Sequence, residues 1–103
     1  MGIRLRISSQ TLAVIDSLLE HPAQWRHGYS LSQQTELPSG TLYPILMRLE
    51  RLAWLETRWE EPGNLGRPLR HLYRLTGPGR AWATDELRAA CAKKIWKPIY
   101  SGV

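Results

Sequence analysis

One stretch of this chain carries side chains suited to binding an anion or a base edge rather than to making or breaking bonds. It is Leu37 to Leu55, LPSGTLYPILMRLERLAWL. At the helical period, Leu42, Ile45, Leu46, Leu49 and Leu52 fall on one face. Gly40, Tyr43, Pro44, Met47 and Arg51 fall on the opposite face, with Thr41 and Arg48 at its margins. A helix face that only met water would be richer in Glu, Lys and Gln. Hydroxyls, a tyrosine and arginines are instead the groups that reach phosphates and bases. Ser39 and Thr41 stand near the start of this helix, where free backbone N–H groups also favour a phosphate. Ser39 is equally suited to capping the helix. Arg48 and Arg51 are phosphate or base candidates, or surface groups held by Glu50 and Glu56.

Bond-making chemistry finds no comparable support. His21, His27 and His71 are scattered, with no carboxylate or cysteine at a metal-ligand spacing. Neither a phosphate-cradling glycine loop followed by lysine nor a nucleophile elbow is present. Glu60 and Glu61 are neighbours on an alternating segment, so they point to opposite faces and make no acid–base pair. Cys91 reads as a small packing residue. The chain is therefore expected not to be an enzyme and to need no cofactor or metal.

Several elements must position the Leu37–Leu55 helix. Ser8 or Ser9 is placed to cap a first helix that ends near Glu20, where His21-Pro22 stops it. Leu12, Ile15 and Leu19 form its stripe, widened by Val14 and Leu18. That width allows Leu12 and Ile15 to meet a partner as well as the core. Pro22 to His27 reads as a loop, and Tyr29 to Thr35 as a second helix. Tyr29 is expected to wedge the first two helices together, and His27 is a further phosphate candidate. The third helix is expected over about Ser39–Ala53. Leu55, Thr57 and Trp59 then alternate with Glu56, Arg58 and Glu60 as a strand does. The turn formers PGNLGRP follow at Pro62 to Pro68. Leu69 to Thr76 reads as the returning strand, although Leu72 breaks its alternation. GNLG at Gly63–Gly66 matches the bare GxxG of an RNA-binding loop, but strand-like flanks favour a hairpin turn. Trp54 and Trp59 are expected to be partly buried. Thr76 can cap a fourth helix running to about Trp96, with Pro98 ending it.

That fourth helix carries two apolar stripes. Ala83, Leu87, Cys91 and Ile95 form one; Trp82, Ala89, Ala92 and Trp96 lie toward the other. One stripe suffices to pack on a single core, so the second points to a partner, most simply a second copy. The expected seam is Leu12, Ile15, Trp82, Leu87, Cys91, Ile95 and Trp96.

Helix, helix, hairpin is the order of a winged helix-turn-helix, and the motifs go further. Gly28-Tyr29, Gly40-Thr41-Leu42-Tyr43-Pro44, the Leu46/Leu49/Glu50 spacing, Gly66-Arg67-Pro68, and Tyr73-Arg74-Leu75-Thr76 with Gly79 after it occur in unbroken order. They cover about half the chain. Together they resemble the PadR family of winged-helix transcriptional regulators. Pro38-Ser39 departs from the family's usual Ser-then-Pro order, and either order can open a helix. The resemblance implies a mainly α fold with a β-hairpin wing (α+β) and a C-terminal dimerisation helix. Residues 1–76 would be the winged helix-turn-helix DNA-binding unit, and residues 77–103 the dimerisation helix and tail. It further implies that the third helix enters the major groove of double-stranded DNA. The DNA-binding set would be Ser39, Gly40, Thr41, Tyr43, Pro44, Arg48 and Arg51, with Arg67 at the wing tip and Arg70 behind it. Some relatives bind flat hydrophobic ligands at an aromatic-lined dimer interface. Trp96 is a candidate for such an effector pocket here, with ordinary dimer packing the simpler role.

Bulk properties agree with that reading. The 103 residues suit one modest core, and 43% hydrophobic residues with five Trp exclude a disordered chain. Fourteen Lys+Arg against nine Asp+Glu give a formal charge of +5, which favours a polyanionic partner. An anionic membrane surface would suit that charge too, but no segment is long and apolar enough to span a bilayer. TLAVIDSLL is interrupted by Asp16 and lacks a cleavage site, so it is not read as a leader. A single cysteine makes no intramolecular disulfide and fits a reducing cytoplasm. The expected function is a dimeric DNA-binding repressor on a palindromic operator. The alternative is a winged-helix protein-interaction module that never binds DNA.

Overall fold

Ser8 opens the fold by accepting the Thr11 amide at 3.1 Å on its hydroxyl, which caps helix α1 (Ser9–Glu20). A computed structural model of the chain describes residues 7–60 and 69–103. In it α1 ends at His21-Pro22 as the sequence predicts. The following segment is not wholly loop, because Arg26–His27 forms a short strand, β1. Helix α2 (Gly28–Thr35) and helix α3 (Ser39–Arg51) are joined by a turn with Glu36 in the left-handed region at φ 59°. The N-cap of α3 is Pro38, with no side-chain capping bond, so Ser39 is not spent as a cap. Ala53, at φ 62°, closes the other end: Trp54 N–H donates to the Leu49 carbonyl and Ala53 N–H to that of Glu50. Leu52 thus falls beyond the last turn and is exposed rather than on the buried face.

Strands β2 (Leu55–Trp59) and β3 (His71–Leu75) pair antiparallel, in register from Leu55 opposite Leu75 to Trp59 opposite His71. Strand β1 pairs with the free edge of β3, giving the order β1-β3-β2. Strand β3 is therefore central, and this explains Leu72. It is buried on the sheet face that carries Arg58 and Arg74, whose guanidinium groups both lie over the Trp25 ring, at 4.5 and 4.2 Å from its centroid. Arg74 is held further by Glu56, at 2.6 Å.

Thr76 caps helix α4 (Gly77–Ala92) by accepting the Gly79 amide at 3.0 Å. Gly79 is required there, since a Cβ would overlap the Trp54 carbonyl. The helix stops at Ala92, short of Trp96. Lys94 turns left-handed at φ 59°, and Ile95 N–H reaches back to the Ala90 carbonyl at 2.8 Å.

One core joins all four helices to the sheet. It takes Leu12, Val14, Ile15 and Leu18 from α1, Leu31 from α2, and Leu42, Leu46 and Leu49 from α3. Leu55, Tyr73 and Leu75 join from the sheet, with Ala83, Leu87 and Ala90 from α4. Burying a leucine of this kind stabilises by about 1.5–3 kcal/mol. Leu12, Ile15 and Leu87 are thus core residues of the single chain, which corrects their expected place on a dimer seam. Trp82 is likewise engaged internally, stacked on Trp54 with ring centroids 3.9 Å apart.

The segment after α4 returns to α1. Asp16 is fully buried, and both its carboxylate oxygens are filled by that segment. Oδ2 accepts the Ile99 amide at 2.7 Å, the Tyr100 amide at 3.3 Å and the Trp96 indole N–H at 3.3 Å. Oδ1 accepts the Ser101 amide at 2.9 Å and its hydroxyl at 2.6 Å. Trp96 is accordingly tied to α1 through its indole N–H while remaining half-buried. Burial pushes the Asp16 carboxyl up. Hydrogen bonds from the Ser101 hydroxyl and the Ile99, Ser101 and Tyr100 amides outweigh it, leaving the group below its ordinary value.

Candidate nucleic-acid interface

The leucines of α3 decide what its other side presents. With Leu42, Leu46 and Leu49 buried, the opposite face holds Ser39, Gly40, Tyr43, Pro44, Met47, Arg48, Glu50 and Arg51, all exposed, and Thr41 half-buried. No side chain of the described chain covers the middle of this face, where Met47 is 56% exposed. Pro44 sits inside the helix and has no N–H to give the Gly40 carbonyl. Arg48 and Arg51 occupy the last turn, where positive charge also complements the helix dipole. Among the described residues neither makes an ion pair, so the guanidinium groups are not held by Glu50 or Glu56.

Tyr43 is shared between packing and surface. Its hydroxyl lies 2.5 Å from where a Cβ on Gly28 would be, so only glycine lets the ring lie across the start of α2. The ring also meets Tyr73, tilted at 56° with centroids 6.5 Å apart. It is still 39% exposed. Burial, then the neighbouring Tyr43 and Glu50, raise the Tyr73 phenol above its ordinary value.

Beside Tyr43 lies an open hollow of about 470 Å³ lined by His27, Gly28, Tyr29, Tyr43, Leu69, Arg70 and His71. It brings the predicted residues Tyr43 and Arg70 together with three aromatic or imidazole groups. His27 Nε2 is 3.1 Å from Glu60 Oε1, and His71 stacks on Trp59 at 4.6 Å. Arg70 is exposed, while its carbonyl accepts the Glu60 amide at 2.7 Å and fixes its backbone at the base of the hairpin. Arg67 and the Gly63–Gly66 run lie outside the described residues.

Two aromatic residues are placed differently from expectation. Tyr29 is 68% exposed and accepts a bond from Gln33 Nε2 at 3.0 Å, so it is no wedge between α1 and α2. The sequence held that signal: Leu31 is the only aliphatic residue of α2, and a residue two positions away lies on nearly the opposite side of a helix. Trp59 is 62% exposed, not part of the core. The remaining candidates belong to the C-terminal segment. Cys91 and Ile95 are exposed and, with Trp96, line a shallow hollow of about 320 Å³. Among the described residues no cluster of His, Cys, Asp and Glu could hold a metal, and no helix is long and apolar enough to cross a membrane.

The model of the transcriptional regulator PadR-like family matches residues 17–85. A PadR family transcription regulator from hypervirulent Clostridium difficile R20291 superposes with a TM-score of 0.68 at 23% identity, covering 84% of this chain and 92% of that one. A PadR-like transcription factor from Bacteroides fragilis is 28% identical, with a TM-score of 0.63 over 81% of each chain. The smu.1704 protein of Streptococcus mutans UA159 is 27% identical, with a TM-score of 0.64 over 90% of this chain and 88% of its own. No curated protein sequence matches.

Proposed function

The chain belongs to the PadR-like family of transcriptional regulators, and from that premise we propose that it is a sequence-specific repressor binding duplex DNA as a homodimer. The carrying observation is the two-sidedness of α3: three buried leucines fix one side, and the other offers Ser39, Gly40, Tyr43, Pro44, Arg48 and Arg51 to solvent. In this reading α3 enters a major groove, and Thr41 and the free amides at its start take a phosphate. Arg70 and Arg67 follow the adjacent backbone. Repression is steric, by occupation of a promoter in the cytoplasm.

The dimer half of the proposal rests on fewer residues than the sequence suggests. Ile95 and Ile99 are 62% and 66% exposed, close along the chain to exposed Cys91 and Ala92. This is the apolar surface that a second copy would cover. A small hydrophobic effector would meet the chain in the hollow beside Trp96, next to that same surface. Selection of bound duplexes from a random pool tests the function. The expected product is a two-fold symmetric motif whose half-sites lie about one helical turn apart. Recovery of unselected sequence would favour a winged helix that binds protein instead.

A further inference from the structure

The middle of the α3 face is apolar, and this limits how it reads bases. Around Met47 the nearest outward neighbours on the helix surface are Tyr43 and Pro44 on one side and Glu50 and Arg51 on the other, with Gly40 one turn further back. Gly40 and Pro44 have no side-chain donor. The Tyr43 hydroxyl is turned onto Gly28. Groups able to hold phosphate are confined to the two ends: Ser39, Thr41 and the first amides at one, Arg48 and Arg51 at the other. Glu50 is the single carboxylate on this helix, on the Tyr43 side of its last turn. Cationic and hydroxyl ends around an apolar centre match the cross-section of a major groove. There the phosphates form the rims, and the one apolar group on the floor is the 5-methyl of thymine.

We infer that Met47, flanked by Pro44, is a specificity-determining residue that recognises thymine 5-methyl groups in each half-site. This rests on the reading of α3 as the groove-facing helix. Thioether side chains are flexible and polarizable, so one methionine can cover methyls on two neighbouring steps. Selection at this position is by shape and burial, not by paired hydrogen bonds. Cytosine there would remove the methyl and replace the neighbouring 4-oxygen by an amine, whereas uracil would remove the methyl and nothing else.

The test uses the duplex recovered from the random pool. Each thymine of a half-site is replaced in turn by deoxyuridine, and the wild-type chain and Met47→Ala are titrated against every duplex. At one or two positions the wild-type affinity should fall about fourfold per methyl removed, while Met47→Ala should be indifferent to the same replacement. Met47→Leu should keep the wild-type pattern. Unchanged melting temperatures are expected for both variants, since the side chain is exposed. Equal responses of wild type and Met47→Ala at every position would overturn the inference while leaving DNA binding intact. So would a half-site without thymine. A chain that retains no duplex from the pool rejects the DNA reading itself, and this inference with it.

Discussion

Tyr43 and Gly28 show how a residue can serve fold and function at once. The ring closes the junction of α2 and α3, yet more than a third of it remains exposed beside Arg70. Gly28→Ala should push the ring off its seat, because the new methyl would lie 2.5 Å from the tyrosine hydroxyl. A loss of about 1–3 kcal/mol in stability is expected, as for other overpacked sites. Chemical denaturation of the variant checks it, and the companion change Tyr43→Ala should relieve that strain. On DNA, Tyr43→Ala should reduce operator affinity by about 1–3 kcal/mol with little effect on scrambled duplex, if the ring touches bases. An unchanged operator-to-scrambled ratio with a much lower melting temperature would make Tyr43 a packing residue only. Arg67, outside the described residues, should behave otherwise. Arg67→Ala should weaken both duplexes alike and lower the salt slope by about one.

Among the elements, the segment after α4 carries the clearest physical device. Asp16 gathers three backbone amides, an indole N–H and a hydroxyl from residues 96–101. Tyr100 adds a 2.6 Å bond to the Gln34 carbonyl, so the same strap also touches α2. Asp16→Ala should leave these donors unpaired and cost about 3 kcal/mol. The folded carboxyl lies below its ordinary value, so the unfolded chain binds the proton more tightly. The strap's contribution is therefore complete above the ordinary carboxylate range and is lost as pH falls through the folded value. Thermal melts of wild type should drop steeply below about pH 4, and those of Asp16→Asn should be lower at neutral pH and flatter in acid. None of this was legible beforehand, because a lone Asp in an apolar run does not say which distant amides fill it. Capping and periodicity were legible: Ser8, Thr76 and the α3 leucines act locally, and the structure places α1, α3 and the start of α4 as expected. Periodicity names an apolar side but not its cover. Two tryptophans of the second stripe, Trp82 and Trp96, meet Trp54 and Asp16 of the same chain. Alternation put Trp59 on the correct side of β2 without saying that the core ends before it. Strand β1 is too short to carry a pattern of its own.

At the scale of the whole molecule, two quantities follow from charge and exposed surface. Assembly through the C-terminal surface predicts that Ile95→Asp yields monomers at micromolar concentration in sedimentation, with a melting temperature near that of wild type, because Ile95 is outside the core. A variant that stays dimeric would move the seam elsewhere. A basic chain with a formal charge of +5 that holds DNA through α3 and the wing must lose affinity as salt rises. The most direct test is the affinity for a selected operator and for scrambled duplex, titrated across salt concentration. Counterion release by about six to ten phosphate contacts per dimer predicts a loss of roughly three to five decades in affinity between 50 and 200 mM salt, with the operator bound more tightly throughout. A flat salt response, or equal affinity for the two duplexes at every salt concentration, would mean that α3 and the wing do not read DNA.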